Sequence, residues 1–426
     1  MRNLTYCSCL LSVVASATLA LCLPLAAHAA ADAKLLAASQ KAEPAVIETL
    51  KDLVLIESGS ANVGGIAKIA DYCEKRLAAL GARTERIKAT RGHGTIVKGT
   101  FTGSGSKRIL LIAHMDTVYP ANTLATQPYK RDGNKLYGPG IADDKGGIAV
   151  ILHSLQLLKD AGWRDHAQVT VLFNPDEEAG SLGSSELIAT LGEQHDVVLS
   201  FEPTAAKAVA KTEGVLLGTS GIANATMEVQ GRSSHAGAAP EAGRNALVEL
   251  SHQVLQTRDI AKSVPGVQLN WTKSTSGEVG NQIPERASAH GDVRMSMPDG
   301  ADRLQAALQE KVDGNRLVPD TKTTIKMVVN RPAFNAGERG RALAVHAQKI
   351  YAELDGRELA LHPTTGGGTD AAFAARSGKP VVLESLGLAG SGYHARDEYI
   401  EVDSIVPRLY LASRLLIDIG SGAAPR

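Results

Sequence analysis

Ile109-Leu110-Leu111-Ile112-Ala113 is an unbroken apolar run that ends at His114-Met115-Asp116. Apolar residues without alternation read as a strand buried on both faces, as strands are in a parallel sheet covered by helices. Val169-Thr170-Val171-Leu172-Phe173 and Val197-Val198-Leu199 have the same character. Around them the spacing turns helical: Ala45 to Leu55, Gly65 to Leu80 closing at Gly81, and Gly146 to Leu158 ending near Gly162. Strands alternating with helices predict an open α/β sheet.

The pattern changes near Thr219. Thr226 to Gln230, Val267 to Lys273, Ala287 to Met295 and Thr323 to Val329 alternate apolar with polar, as half-exposed antiparallel strands do. Helical spacing separates them at Gly243 to Thr257 and Asp302 to Val312. The order β-α-β-β-α-β predicts a small ferredoxin-like sheet with both helices on one face. Buried α/β signals return from about Arg331, with a helix over Arg341 to Leu354 and a strand over Pro380 to Leu383. The expected organisation is a sheet domain from 30–219 and 331–426, with 220–330 inserted into it. A chain of 426 residues exceeds what one core fills, which agrees with two domains.

Residues 1–29 read as an export signal. Arg2 supplies the positive start, Leu10 to Leu25 the apolar centre, and Ala27-His28-Ala29 the small-x-small cleavage site. A periplasmic or extracellular protein with no stable membrane association after processing is the expectation. Cys7, Cys9 and Cys22 leave with the signal and only Cys73 stays. That excludes an intramolecular disulfide and a thiolate metal cluster, so any metal must be held mainly by histidine and carboxylate. The formal net charge is +0, which gives a nucleic-acid or anionic-membrane partner no electrostatic support.

Ionisable groups cluster just past the apolar strands. His114-Met115-Asp116 follows the first, Asp176-Glu177-Glu178 the second and Glu202 the third. Gly138 to Gly147, containing Asp143-Asp144, is an acidic loop that opens a helix. In an open α/β sheet the carboxyl ends of strands gather along one edge, so these groups should converge. Taken singly, His114 would be a core histidine, Glu177-Glu178 a solvated turn and Asp143-Asp144 a helix cap. Together, so many carboxylates would repel unless cations neutralised them. Histidine and carboxylate donors suit zinc in a hydrolytic site, with cobalt or manganese as substitutes. Two metals roughly 3.5–4 Å apart polarise a carbonyl and activate water at neutral pH.

His114-Met115-Asp116-Thr117-Val118-Tyr119, Gly138 to Gly147 and Gly366-Gly367-Gly368-Thr369-Asp370 make the chain recognisable. It resembles the two-zinc peptidases that include glutamate carboxypeptidases, aminoacylases and succinyl-diaminopimelate desuccinylases. Within that family it looks most like the bacterial glutamate carboxypeptidases that cleave folates. The resemblance implies that His114 and Glu202 hold one zinc, Glu178 and His394 the other, and that Asp143 bridges them. It also implies Glu177 as general base, Asp116 orienting His114, and a cis peptide after Asp143. Spacing alone chooses neither Asp143 over Asp144 nor Glu177 over Glu178.

On the substrate side the resemblance assigns His235, in Ser233-Ser234-His235-Ala236-Gly237, to the substrate carbonyl or carboxylate, in some relatives across a dimer. Arg294, Arg331 and Asn281 would receive a C-terminal glutamate, since arginine pairs with carboxylates through two hydrogen bonds. The Gly366–Asp370 loop, with Gly367, opens a helix whose backbone donors would receive a carboxylate. The implied substrate is an N-acyl-glutamate or folate, and the inserted domain is implied to be lid and homodimer surface. Asn281-Gln282-Ile283-Pro284 and residues 205–216 depart from the relatives, which leaves the acyl side open. A sister deacylase of other side-chain preference and a non-catalytic exported binding protein are the competing readings. The second has no use for an unligated Glu177.

Overall fold

The computed structural model describes residues 30–92 and 94–425, so the expected export signal at 1–29 lies outside the described residues. Helix α1 (Ala33–Val54) is capped by Asp32, whose carboxylate accepts the N–H groups of Lys34 and Leu35. It starts about three turns before the expected Ala45. Its first half is rich in alanine, which favours helix strongly but adds little to an apolar pattern. Helix α2 (Val63–Leu80) ends on Gly81 in the left-handed conformation, φ 100°, where the absence of Cβ makes the turn easy.

The chain then forms β1 (Arg83–Lys88), β2 (Thr95–Thr102), β3 (Arg108–His114), α3 (Lys145–Asp160), β4 (Gln168–Asn174), α4 (Ser185–Gln194) and β5 (Val197–Ser200). The second unit follows as β6 (Gly221–Gln230), α5 (Ala246–Thr257), β7 (Val267–Ser276), β8 (Arg286–Met295), α6 (Gly300–Gly314) and β9 (Lys322–Arg331). Helix α7 (Gly337–Ala352), β10 (Val381–Leu383) and α8 (Ile405–Ser421) return to the first.

The large sheet has six strands in the order β1-β2-β4-β3-β5-β10. Strands β4, β3, β5 and β10 are mutually parallel, and β1 and β2 form an antiparallel edge. The unbroken apolar run in β3 has a simple cause. Ile109 and Leu111 enter the core shared with α1, α2, α3 and α8, whereas Leu110 and Ile112 enter a second core under α4. Successive side chains point to opposite faces, and here both faces are dry.

The small sheet has the order β7-β8-β6-β9, antiparallel throughout. Ala223, Ala225, Met227 and Val229 of β6 pack under α5 and α6 against Leu250, Leu304 and Leu308. Asn224, Glu228 and Gln230 between them are exposed, so both helices lie on one face. The strands run further than the alternation indicated, because their ends at Gly221 and Arg331 continue toward the large unit. Gly218–Thr219 and Phe334–Asn335 pair antiparallel, so the outgoing and returning chain form one two-stranded stem. Among the described residues no helix is long and apolar enough to cross a membrane.

Candidate active site

Strand β3 delivers His114 at its carboxyl end, β4 runs into Asp176-Glu177-Glu178, and β5 into Glu202. These strands are parallel, so all three groups reach the same sheet edge. Asp143 comes from the loop before α3. His394 comes from the loop after Ala389–Ser391, where Tyr393 Oη donates to the carbonyls of Gly390 (2.8 Å) and Thr204 (3.0 Å).

Asp143 divides its carboxylate between two histidines. Its Oδ1 lies 2.9 Å from His114 Nε2, and its Oδ2 lies 3.5 Å from His394 Nε2. Glu202 Oε1 is 3.7 Å from His114 Nε2, and Glu178 Oε2 is 3.2 Å from His394 Nε2. The peptide between Asp143 and Asp144 is cis. Asp144 also approaches His114 and Glu202 closely enough to join a ligand group. Its oxygens are engaged elsewhere, however, accepting the N–H of Gly147 (3.1 Å) as cap of α3 and the N–H of His114 (3.3 Å).

The buried His114 ring is oriented by Asp116, mainly through that residue's backbone. Nδ1 lies 3.0 Å from the Asp116 main-chain carbonyl and 3.4 Å from its carboxylate. A carbonyl only accepts, so Nδ1 carries the hydrogen and Nε2 turns toward the carboxylates. The Asp116 carboxylate accepts the N–H groups of Glu177 (3.0 Å) and Glu178 (3.1 Å), holding the loop that presents both.

The electrostatics test whether this donor set suits divalent metal. Burial raises Glu177 well above the usual carboxylate range, with Glu202 and Asp370 adding to the rise against Arg331 and His114. Burial likewise raises Glu202. Hydrogen bonds to Asp143 and Glu178 push His394 up to about 10. For His114 burial opposes charging, but Glu202 and hydrogen bonds to Asp116 and Asp143 outweigh it and raise the ring. Buried carboxylates crowded in this way need positive charge among them. Two imidazoles and a set of carboxylates, with no thiolate, fit a pair of divalent ions that would supply it.

A cleft of about 890 Å³ opens onto Asp143, Glu177, Glu178, Glu202 and His394. Arg294 and Arg331 line it. Both pair in register with Ile222 of the central strand β6, one from each side, so they form one row across the small sheet. Arg294 is also ion-paired with Asp292 at 3.0 Å. Gly367 is on the wall, but the helix its loop opens is the single turn Ala371–Ala374. That turn is too short to act as a helix-terminus receptor.

His235 and Asn281 stand apart from the cleft. His235 follows the far end of β6, whose near end carries Ile222, and a ten-residue strand spans about 30 Å. Ser234–His235 pairs with Gln282–Ile283 there, and the Asn281 main-chain carbonyl accepts the N–H of Ala236 at 2.9 Å. His235 Nδ1 accepts the N–H groups of Gly237 (3.2 Å) and Ala238 (3.1 Å), which puts the ring hydrogen on exposed Nε2.

Two residues escaped the reading of motifs. Glu398 is buried and accepts the N–H groups of Gly140 (2.7 Å), Ala142 (2.9 Å) and Asp143 (3.0 Å), so it shapes the acidic loop. Burial, with the nearby charge of Asp143, pushes it up to about 7. Asp370 was visible in its glycine-rich motif without a role. It accepts from Arg331, Asn174 and Ser181.

A largely parallel sheet whose edge gathers groups able to hold metal, carrying a stemmed second unit over the same cleft, has the make-up of a two-domain metallopeptidase. The chain belongs to peptidase family M20/M25/M40, which residues 110–418 match. It is 47% identical over 393 residues to carboxypeptidase G2 of Pseudomonas sp. (strain RS-16), covering 92% of this chain and 93% of that protein. It is therefore an enzyme of the metallocarboxypeptidase kind. Among solved structures, aminopeptidase PepT from Bacillus cereus superposes with TM-score 0.72 at 20% identity, over 88% of this chain and 98% of that one. The Bacillus subtilis YXEP protein, described as a dinuclear metal binding peptidase, gives 0.64 at 14% identity over 90% and 99%. At such identities these two show the shared fold.

Proposed function

We propose that this enzyme is a zinc-dependent carboxypeptidase that releases C-terminal glutamate from N-acyl-glutamates, including folates and analogues such as methotrexate. The observation that carries the specificity is the row formed by Arg294 and Arg331 on the cleft that opens onto the ligand cluster. A C-terminal glutamate presents two carboxylates, and two guanidinium groups match them. The likeness to carboxypeptidase G2 points the same way.

His114 and Glu202 would hold one zinc, Glu178 and His394 the other, with Asp143 between them. Cobalt or manganese would suit the same donors. When bound, the pair would supply Lewis acidity for the scissile carbonyl and would acidify the attacking water. Glu177 takes the proton from that water and passes it to the leaving amine. Asp116 keeps the His114 tautomer, and Gly367 leaves the wall open to the substrate.

His235 and Asn281 stand too far along the small sheet to serve the cleft of their own chain. We assign them to the cleft of a second copy in a homodimer built through the inserted unit. Exposed Leu247, Val248 and Leu255 on α5 and Val328 and Val329 on edge strand β9 supply apolar surface for it. The exposed Nε2–H of the partner's His235 would then stabilise the oxyanion. Residues 1–29 mark the chain for export, and its neutral balance favours neither nucleic acid nor an anionic membrane.

The test is hydrolysis of folate or methotrexate with chelator, and again after added zinc, beside N-acyl-glutamate, -aspartate, -arginine and -leucine. Chelator-sensitive release of glutamate, with glutamate clearly preferred, is expected. Equal turnover of the four acyl-amino acids would overturn the specificity and favour a general deacylase.

A further inference from the structure

Arg331 is offered to the substrate, yet both of its terminal nitrogens are already engaged. Nη1 lies 2.6 Å from Glu177 Oε1 and 3.2 Å from Asp370 Oδ1. Nη2 donates to the Glu177 main-chain carbonyl at 2.8 Å and reaches Ser181 Oγ at 3.4 Å. The residue is only 4% exposed. One side of this arrangement is firmly anchored, because Asp370 also accepts from Asn174 Nδ2 at 2.7 Å and from Ser181 Oγ. The shaft passes so close to Gly368 that an added Cβ would sit 2.7 Å from Arg331 Cδ. The other side is the carboxylate of the general base, at the wall of the cleft.

A guanidinium at that distance engages a carboxylate oxygen and fixes the plane of the group, so Glu177 is not free to swing toward a proton donor in the cleft. We propose that Arg331, pinned by Asp370, restrains Glu177 in the substrate-free enzyme, and that the substrate's own carboxylate draws the guanidinium off the base. The inference rests on the reading of Glu177 as base and Arg331 as carboxylate ligand. One carboxylate replaces another at the same guanidinium, so Arg331 keeps a charged partner while the freed Glu177 carboxylate faces the cleft. Arg331 and Asp370 act here as positioning residues, through Glu177. The group that marks the substrate then governs turnover as well as binding, which is where recognition raises kcat.

The experiment compares an N-acyl-glutamate with its α- and γ-monoamides on zinc-loaded wild type, Arg331→Met and Glu177→Gln. With wild type, the amide lacking the carboxylate that meets Arg331 should lose about tenfold or more in kcat, beyond its rise in KM. Arg331→Met should raise KM for the parent compound yet raise kcat for that amide above wild type, because the base is no longer tied. A residue that only binds or only stabilises would not produce that gain. If Arg331→Met turns over neither amide faster than wild type while Glu177→Gln is inactive, the restraint is wrong and the base reading stands. If Glu177→Gln keeps its kcat, the base reading itself fails.

A second measurement needs no variant. In a crystal structure of the zinc-loaded wild type with free glutamate bound, the Nη1 to Glu177 contact should open beyond about 3.5 Å while Asp370 keeps its own. An unchanged contact beside bound glutamate overturns the proposal.

Discussion

Asp116 is fully buried, yet its main chain and carboxylate touch a histidine and the loop carrying two glutamates on which the proposed chemistry depends. Replacing it with alanine keeps the main-chain contact to His114 but frees the N–H groups of Glu177 and Glu178. We expect Asp116→Ala to weaken metal binding by about 10–100-fold, read by competition with a metal buffer; unchanged affinity would remove its supporting role. Glu177→Gln should lower kcat by about 10²–10⁴-fold while metal content per chain, measured by elemental analysis, stays the same. Loss of metal in that variant would make Glu177 a ligand and not the base. At this scale His114, the pair Glu177-Glu178 and Glu202 were legible as a strand-end cluster, since an apolar run followed by an ionisable residue is a local signal. Glu398 was not. It serves a loop more than 250 positions earlier in the chain, at Gly140 to Asp143, and no spacing rule connects them.

Among the elements, α3 links the site to the core. Asp144 caps it, and a Cβ on Gly147 would sit 2.3 Å from both Asp144 Oδ1 and the Phe201 carbonyl, so only glycine lets the first turn dock. Further along, His153 Nε2 meets Thr49 Oγ1 of α1 at 2.8 Å. Burial first, then the charge of Arg76, lowers this imidazole from 6.5 to about 4. The unfolded chain therefore binds a proton near pH 6.5 that the folded chain refuses until about pH 4. The stability His153 lends is complete above the upper value and declines through the window as pH falls, by on the order of 3 kcal/mol. Denaturant unfolding from pH 7 to 4 should show His153→Gln gaining on wild type as the solution acidifies. A difference independent of pH would sink this account. Helix and strand types were readable from period alone, but ends were not: α1 began earlier because alanine carries no apolar signal, and the small-sheet strands ran on toward the stem.

At the scale of the whole molecule, the stem of Gly218–Thr219 against Phe334–Asn335 is what lets one sheet stand over the cleft of the other. The same small sheet presents Arg294 and Arg331 at one end and His235 and Asn281 at the other. If a partner copy completes each cleft, two inactive variants should rescue one another. Mixed and re-equilibrated Glu177→Gln and His235→Ala chains would form heterodimers with one intact site. Activity should reappear on mixing, and sedimentation should report twice the chain mass. A monomer, or no recovery in a confirmed mixed dimer, would return His235 to being a surface residue.

Because burial on one or two faces writes directly into alternation, the order of apolar runs and helical periods by itself determined an open α/β sheet interrupted by a β-α-β-β-α-β unit, though not the antiparallel edge of β1 and β2. Strand polarity then brought His114, Glu178 and Glu202 to one edge without further information. Only the tertiary structure decided how Asp143 divides its oxygens between two histidines, which atoms of Asp116 hold the ring, and that Arg331 is tied to Glu177. Those choices turn on ångström-scale contacts between segments far apart in sequence, and packing, not periodicity, sets such distances.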